Sequence, residues 1–227
     1  VVPPNNDRGR VWSAAMGRLA GADQLGQVPE WHRARYESMT KYVEVLGAED
    51  PSRLTGLEPG QVRSLAAADR PFADIRLSKP WVITLYPTPG FAALEGMDPE
   101  EYARFIVRAS TVDPRPLREA EERIAPLFDN GRRMEIVTQH PLDGRALTLA
   151  VDIEPGRARI SYGLRNFPDG EVFTSPHAGR TEGEIFLDLP VTYGGNDIRG
   201  IYLRFAAGRI VEYRAEAGGD HLAAIIE

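Results

Sequence analysis

Apolar residues recur along this chain in two rhythms, and the rhythm changes once. Over the first part the spacing is helical. "RVWSAAMGRLAGADQL" and "PEWHRARYESMTKYVEVLG" both read as helices, the second with Trp31, Arg35, Met39, Tyr42 and Leu46 along one stripe. Asp50-Pro51 and Asp98-Pro99 each read as an N-cap followed by a helix-opening proline. Beyond the second, Tyr102, Phe105, Ile106 and Ala109 fall at i, i+3, i+4 and i+7, which predicts an amphipathic helix. Between these lies "PWVITLY", apolar almost throughout, as in a strand buried on both faces. It runs through Pro87-Thr88-Pro89 into the helix-like "GFAALEGM", and strand, turn, helix is the wiring of an α/β layer. "PLREAEERIAPLFDNG" predicts one more helix, with Leu117, Ile124 and Leu127 inward, Pro126 distorting the last turn and Gly131 ending it.

Past residue 130 the period drops to two. "RALTLAVDI" puts Leu147, Leu149, Val151 and Ile153 on one face; "EPGR" turns; "ARISYGL" returns with Ile160, Tyr162 and Leu164 on one face. "EIFLDLPVTY", "IRGIYLRF" and "RIVEYRAE" continue the alternation, with Gly194-Gly195 and Gly208 as turns and a helix from about Asp220. The pattern defines an α/β plus α+β chain. An N-terminal α/β unit, residues 1–130, precedes a mostly antiparallel β-rich unit, residues 131–227. Each of the two reads as incomplete. No internal repeat or low-complexity tract interrupts either.

Composition narrows the function classes. With 42% hydrophobic and 26% charged residues over 227 positions, the chain can bury a real core and is not disordered. The formal charge of −6 argues against nucleic acid or an anionic membrane as partner. Arg132-Arg133 and the spaced Arg157/Arg159 are too thin for a phosphate-binding patch. The absence of cysteine excludes disulfides, thiolate nucleophiles and zinc–thiolate sites. No apolar stretch reaches the length of about 18 residues that a membrane-crossing helix needs. The sequence opens on Val without a signal-peptide pattern and stops inside a helical pattern, so a piece of a longer protein is expected.

Motif chemistry is sparse. There is no G-x-S-x-G, H-E-x-x-H, Walker A loop or G-x-G-x-x-G opening a helix. His32, His140, His177 and His221 are not clustered at ligand spacing: His32 reads as a helix-surface residue, His140 as a loop residue, and His221 stands beside a helix cap. His177 follows Glu171 by six residues and could share a metal with it, although a polar hairpin tip is the commoner meaning. Ser175 with His177 lacks anything nearby to hold the imidazole, and Asp169, Glu171 and Glu182 lack the pattern of a calcium loop.

Glu171 is the residue that the local sequence singles out. In "NFPDGEV", Pro168 fixes one backbone angle and Gly170 permits a positive φ, so Glu171 leaves a stiff turn with little freedom of direction. A metal ligand needs that preorganisation. A solvated carboxylate at a strand edge needs only the turn, and on the residues alone that structural reading is preferred.

A longer stretch adds a resemblance. "SYGLRNFPDGEVFTSPHAGRTEGEIFLDLPVTYGG", followed by "IRGIYLRFAAGRIVEYRAE", resembles the thermophilic metalloaminopeptidase family of aminopeptidase T, aminopeptidase S and PepS. "KYVEVLGAEDPSRLTGLEP" and "WVITLYPTPGFAALEGMDPEEY" are similar to its N-terminal domain more diffusely. The turn carrying that family's first metal-ligating glutamate matches Glu171. The resemblance implies a metal-dependent aminopeptidase with two divalent ions (zinc, cobalt, manganese or magnesium) and a bridging water activated between them. It further implies a peptide substrate with a free amino terminus, a homodimer enclosing a cavity, and a cytoplasmic setting. Asp169 and Arg165 become candidates to hold Glu171 in place. The family's other ligands and its catalytic tyrosine would follow residue 227, and the family's usual Thr-Asp-Leu strand entry is replaced by "DGRALTLAV", with Asp143 only roughly in place.

Two other readings compete. One is a non-catalytic binding or interaction module that keeps the scaffold; the other is a carbohydrate or nucleotide hydrolase, for which no paired acids stand at meaningful spacing. Sequence beyond residue 227 separates the peptidase from the module: a downstream His-x-Asp supports the first.

Overall fold

The structure, a computed structural model, describes residues 15–16, 18–25, 30–47, 57–154, 156–193 and 195–226. Helices α1 (Ala22–Leu25) and α2 (Glu30–Ser38) precede strand β1 (Tyr42–Leu46). Then come α3 (Pro59–Leu77), β2 (Trp81–Leu85), α4 (Pro89–Leu94), α5 (Pro99–Ser110) and α6 (Pro114–Asn130). Strands follow in series: β3 (Arg133–Gln139), β4 (Ala146–Asp152), β5 (Arg159–Ser161), β6 (Asn166–Phe167), β7 (Glu171–Phe173) and β8 (Thr181–Leu187). Strands β9 (Val191–Tyr193), β10 (Asn196–Ile198), β11 (Ile201–Ala206), β12 (Arg209–Arg214) and helix α7 (Gly219–Ile226) complete the order. Helices thus dominate the first part and antiparallel strands the second, as the change of period predicts. The described residues group into two units: those up to Val112 with Gly163–Asp169, and Asp113–Tyr162 with Gly170 onward. By contacts α6 therefore groups with the strands that follow it; a folding boundary near residue 130 stands as a proposal.

In the first unit β1, β2 and β6 form a parallel sheet, with β2 central. Tyr42–Leu46, expected to continue the preceding helix, is instead paired with Trp81–Leu85. Tyr42 and Leu46 are four apart, so they share a face in either period, and the β-branched Val43 and Val45 favour the strand. Lys79 stops α2: its Nζ donates to the carbonyls of Tyr36 at 2.8 Å, Glu37 at 2.7 Å and Met39, satisfying oxygens that the helix end leaves open. Strand β2 is half-buried along its length rather than fully buried. The Asp50-Pro51 cap lies outside the described residues. Helix α3 opens at Glu58, whose backbone N–H donates to the Gln61 side chain at 2.9 Å. Asp98 caps α5 as expected, accepting from the Glu100 and Glu101 N–H groups at 2.9 and 3.1 Å. Tyr102 and Ile106 bury against Ala92, while Phe105 stays exposed.

The second unit is built on an antiparallel sheet in the order β12-β11-β8-β4-β3. Leu147, Leu149, Val151 and Ile153 are all buried, with Leu147 at 1% exposure. Burying each such side chain is worth about 1.5–3 kcal/mol. Phe128 of α6 packs on the cluster formed by the last three of them and Ile185. The inward line of α6 is Leu117, Glu121 and Phe128; Ile124, at 43%, and Leu127, at 72%, are exposed. The helix packs on β5 and β7 and, through Phe128, on the large sheet; its inward line steps from Leu117 to Glu121 and then seven residues on to Phe128, which leaves Ile124, seven beyond Leu117, outside. Pro126 does not end the helix, which runs to Asn130, and Gly131 stops it in an extended conformation. The expected return of β5 beside β4 also differs. Strand β5 pairs with β7, the Ala158 N–H donates to Asp129 Oδ1 at 2.8 Å, and Leu164 is exposed.

Candidate functional site

Strands β5 and β7 form a two-stranded antiparallel ribbon in which Arg159 faces Phe173, Ile160 faces Val172, and Ser161 faces Glu171. Alternation divides the ribbon into two faces. Ile160 and Val172 are half-buried on the side where α6 packs. Arg159, Ser161, Glu171 and Phe173 share the other face, and all but Ser161 are exposed. Arg118 of α6 places its guanidinium carbon 5.4 Å from the Tyr162 ring centroid at the end of β5.

The turn before Glu171 holds the expected elements. The Phe167–Pro168 peptide bond is cis and Gly170 has φ 148°. A Cβ on Gly170 would lie 3.5 Å from a Leu117 methyl group. Asp169 accepts from the Gly163 N–H through Oδ2 at 3.1 Å, and the Arg165 guanidinium carbon lies 5.0 Å from the Trp81 ring centroid. Both residues thereby order the loop that carries β6; their support of Glu171 stands as a proposal.

The other candidates disperse. His177 holds its Nδ1 2.7 Å from the Ala178 carbonyl, and its backbone N–H donates to the Asp152 carbonyl at 2.7 Å. Glu182 accepts from the Ala207 N–H at 2.6 Å. His140 Nδ1 lies 3.1 Å from Asp143 in the β3–β4 loop, His221 lies in α7, and the His32 side chain is outside the described residues. Among the described residues no group of three or more His, Cys, Asp or Glu side chains could hold a metal ion. A pair of divalent ions needs several carboxylate and imidazole donors. The described residues therefore do not make such a site by themselves.

Beside the ribbon lies a groove of about 440 Å³, whose walls include Arg157, Arg159, Phe173, Thr174 and His177. The single-residue spacing of Arg157 and Arg159 was visible in the sequence, but that Arg159 would face Phe173 could not be read without the β5–β7 pairing. No helix among the described residues is long and apolar enough to cross a membrane.

Residues 10–227 match the family model described as thermophilic metalloprotease (M29), and the chain belongs to that family. It is 30% identical over 244 residues to aminopeptidase T of Thermus thermophilus, covering 92% of this chain and 58% of that protein. Aminopeptidase T of Thermus aquaticus is 27% identical over 249 residues, covering 92% and 60%. The solved structure of wild-type AmpT from Thermus thermophilus superposes with a TM-score of 0.73 at 24% identity, covering 93% of this chain and 59% of that one, which shows a shared fold. The chain spans about three fifths of the length of these relatives.

Proposed function

We infer that the protein is a metal-dependent aminopeptidase that releases residues from the free amino terminus of peptides, with Glu171 contributing one carboxylate to a site for two divalent ions. The observation that carries this reading is the placement of Glu171. It is exposed, it follows a turn made stiff by Pro168, and it shares an open ribbon face with Phe173. Membership of a metalloprotease family and similarity to proteins named aminopeptidase T support the reaction class. The remaining donors belong, on this reading, to the part of the relatives' length that this chain does not span.

What the chain itself supplies is orientation. Helix α6 backs the ribbon, Leu117 lies against Gly170, and the Glu171 carboxylate is presented without filling any core. A cytoplasmic homodimer belongs to the same reading. Zinc, cobalt, manganese and magnesium all accept carboxylate oxygen, so the donor that is visible does not select among them. The test is hydrolysis of a leucyl-anilide by the complete protein before chelation, after chelation, and after return of each metal. Activity that disappears with the chelator and returns with a divalent ion is expected; activity indifferent to chelation contradicts the reading.

A further inference from the structure

We propose that the groove beside the β5–β7 ribbon is a carboxylate-binding subsite for the substrate peptide, built on Arg157 and Arg159. The identity of the ligand rests on the aminopeptidase reading above; the charge selectivity of the groove does not.

Three features point to an anionic ligand. Arg157 and Arg159 are exposed in the wall of the groove, and neither forms an ion pair among the described residues, although most arginines around them do. The groove's own acid, Glu154, is drawn to Arg132 at 3.7 Å, and Asp129 accepts the Ala158 N–H. The Thr174 hydroxyl, in the same wall, is buried with no hydrogen-bond partner among the described residues. Buried polar groups are ordinarily satisfied, so this hydroxyl has hydrogen-bonding capacity to spare, while the sign of the ligand follows from the arginines. Gly156 passes close over this hydroxyl: a Cβ there would come within 2.7 Å of the Thr174 hydroxyl and 2.2 Å of the Ile153 carbonyl.

The form of the groove favours a carboxylate over a phosphate chain. Two guanidinium groups provide planar forks that match a carboxylate in bidentate fashion. The Phe173 ring supplies an apolar wall on which a peptide can lie. A chain with a formal charge of −6 and only these two arginines in the groove lacks the dense basic surface that a polyphosphate backbone requires.

Register joins the groove to the candidate metal ligand. Glu171 and Phe173 are two residues apart on one face of β7, a rise of about 7 Å. An extended peptide likewise rises about 3.4 Å per residue, so it covers the same distance in two residues. With its amino end at Glu171, its third residue reaches Phe173 and Arg159, so a carboxylate there meets the groove. That carboxylate can be the C-terminus of a tripeptide or the side chain of an acidic third residue.

The test is calorimetric titration of the chelator-treated complete protein, which needs no turnover. The probes are Leu-Gly-Gly as free acid and as amide, and Leu-Gly-Glu amide beside Leu-Gly-Gln amide. Charge-assisted hydrogen bonds predict that each carboxylate-bearing probe binds about tenfold tighter or more than its neutral partner. Arg157→Gln/Arg159→Gln removes that preference and each single variant removes part of it, while Arg209→Gln, on β12 and equal in charge change to each single variant, leaves it intact. Circular dichroism and melting curves check that the variants fold. Preference in the free-acid pair alone assigns the C-terminus, and in the glutamate pair alone the side chain. Equal binding of charged and neutral probes, retention of the preference in the double variant, its loss in Arg209→Gln, or inorganic phosphate binding more tightly than the free acid overturns the proposal. A protein that shows the preference but no peptidase activity keeps the groove and loses the proposed reaction.

Discussion

Arg159 and Phe173 face one another across a ribbon three residues long, one alternation step from the facing pair Ser161 and Glu171. A guanidinium, an aromatic ring and a carboxylate therefore share one open face, while the opposite face rests on α6. So short a ribbon cannot hold its shape alone. The direction of Glu171 depends on the turn before it and the helix behind it, and that dependence separates effects on the site from effects on the fold.

Leu147 lies on the buried face of β4, within the large sheet. Leu147→Ala removes a side chain that is 1% exposed, and unfolding in denaturant should show a loss of about 2–5 kcal/mol. A loss below about 1 kcal/mol would contradict the burial of this face of β4.

Asp98→Ala should cost about 1 kcal/mol, since two N–H groups at the start of α5 lose their acceptor. Asp98→Asn should recover most of it. Thermal melts of the three proteins decide this.

Asp113 caps α6, and its hydrogen bond from the Arg115 side chain, with a second from the Arg115 backbone N–H, holds its carboxyl below the usual aspartate value of 3.8. A depressed carboxyl stabilises the fold fully above the unfolded value and loses that contribution as pH falls from 3.8 towards the folded value. Asp113→Asn should therefore flatten the acid limb of a stability–pH curve and leave its slope near neutrality unchanged. An unchanged acid limb would contradict the pairing.

How much of this was legible beforehand follows from how local each signal is. The Asp98 cap and the alternation of Leu147, Leu149, Val151 and Ile153 depend on neighbours in sequence, and both were readable. Tyr42–Leu46 reads as helix because a spacing of four residues fits helix and strand alike, and only its partner β2, some forty residues away, decides between them. Ile124 and Leu127 read as inward but are exposed, because α6 packs both on the β5–β7 ribbon and on the large sheet, and the sequence names neither partner. For the site, the stiff turn before Glu171 was visible. The open face that Glu171 shares with Arg159 and Phe173 was not, since the pairing of β5 with β7 spans a loop that returns to the other unit.

The 227-residue chain by itself should show little or no hydrolysis of a leucyl-anilide with any divalent ion added. Its described residues contain no cluster of three donors. Metal-dependent turnover by the purified chain, abolished by chelation and restored by re-addition, would show that the donors beyond Glu171 lie within it.

The most direct test of the central claim is elemental analysis of metal per subunit in the complete protein and in Glu171→Gln, beside a melting curve of each. The substitution keeps the side-chain volume and removes the charge of an exposed residue, so stability should stay within about 0.5 kcal/mol. If Glu171 is a metal donor, metal content and turnover fall together in a protein that melts where the parent does, and added metal restores turnover only weakly. Full metal occupancy with normal turnover in Glu171→Gln would contradict the account and return Glu171 to the role of a solvated carboxylate at the edge of a turn.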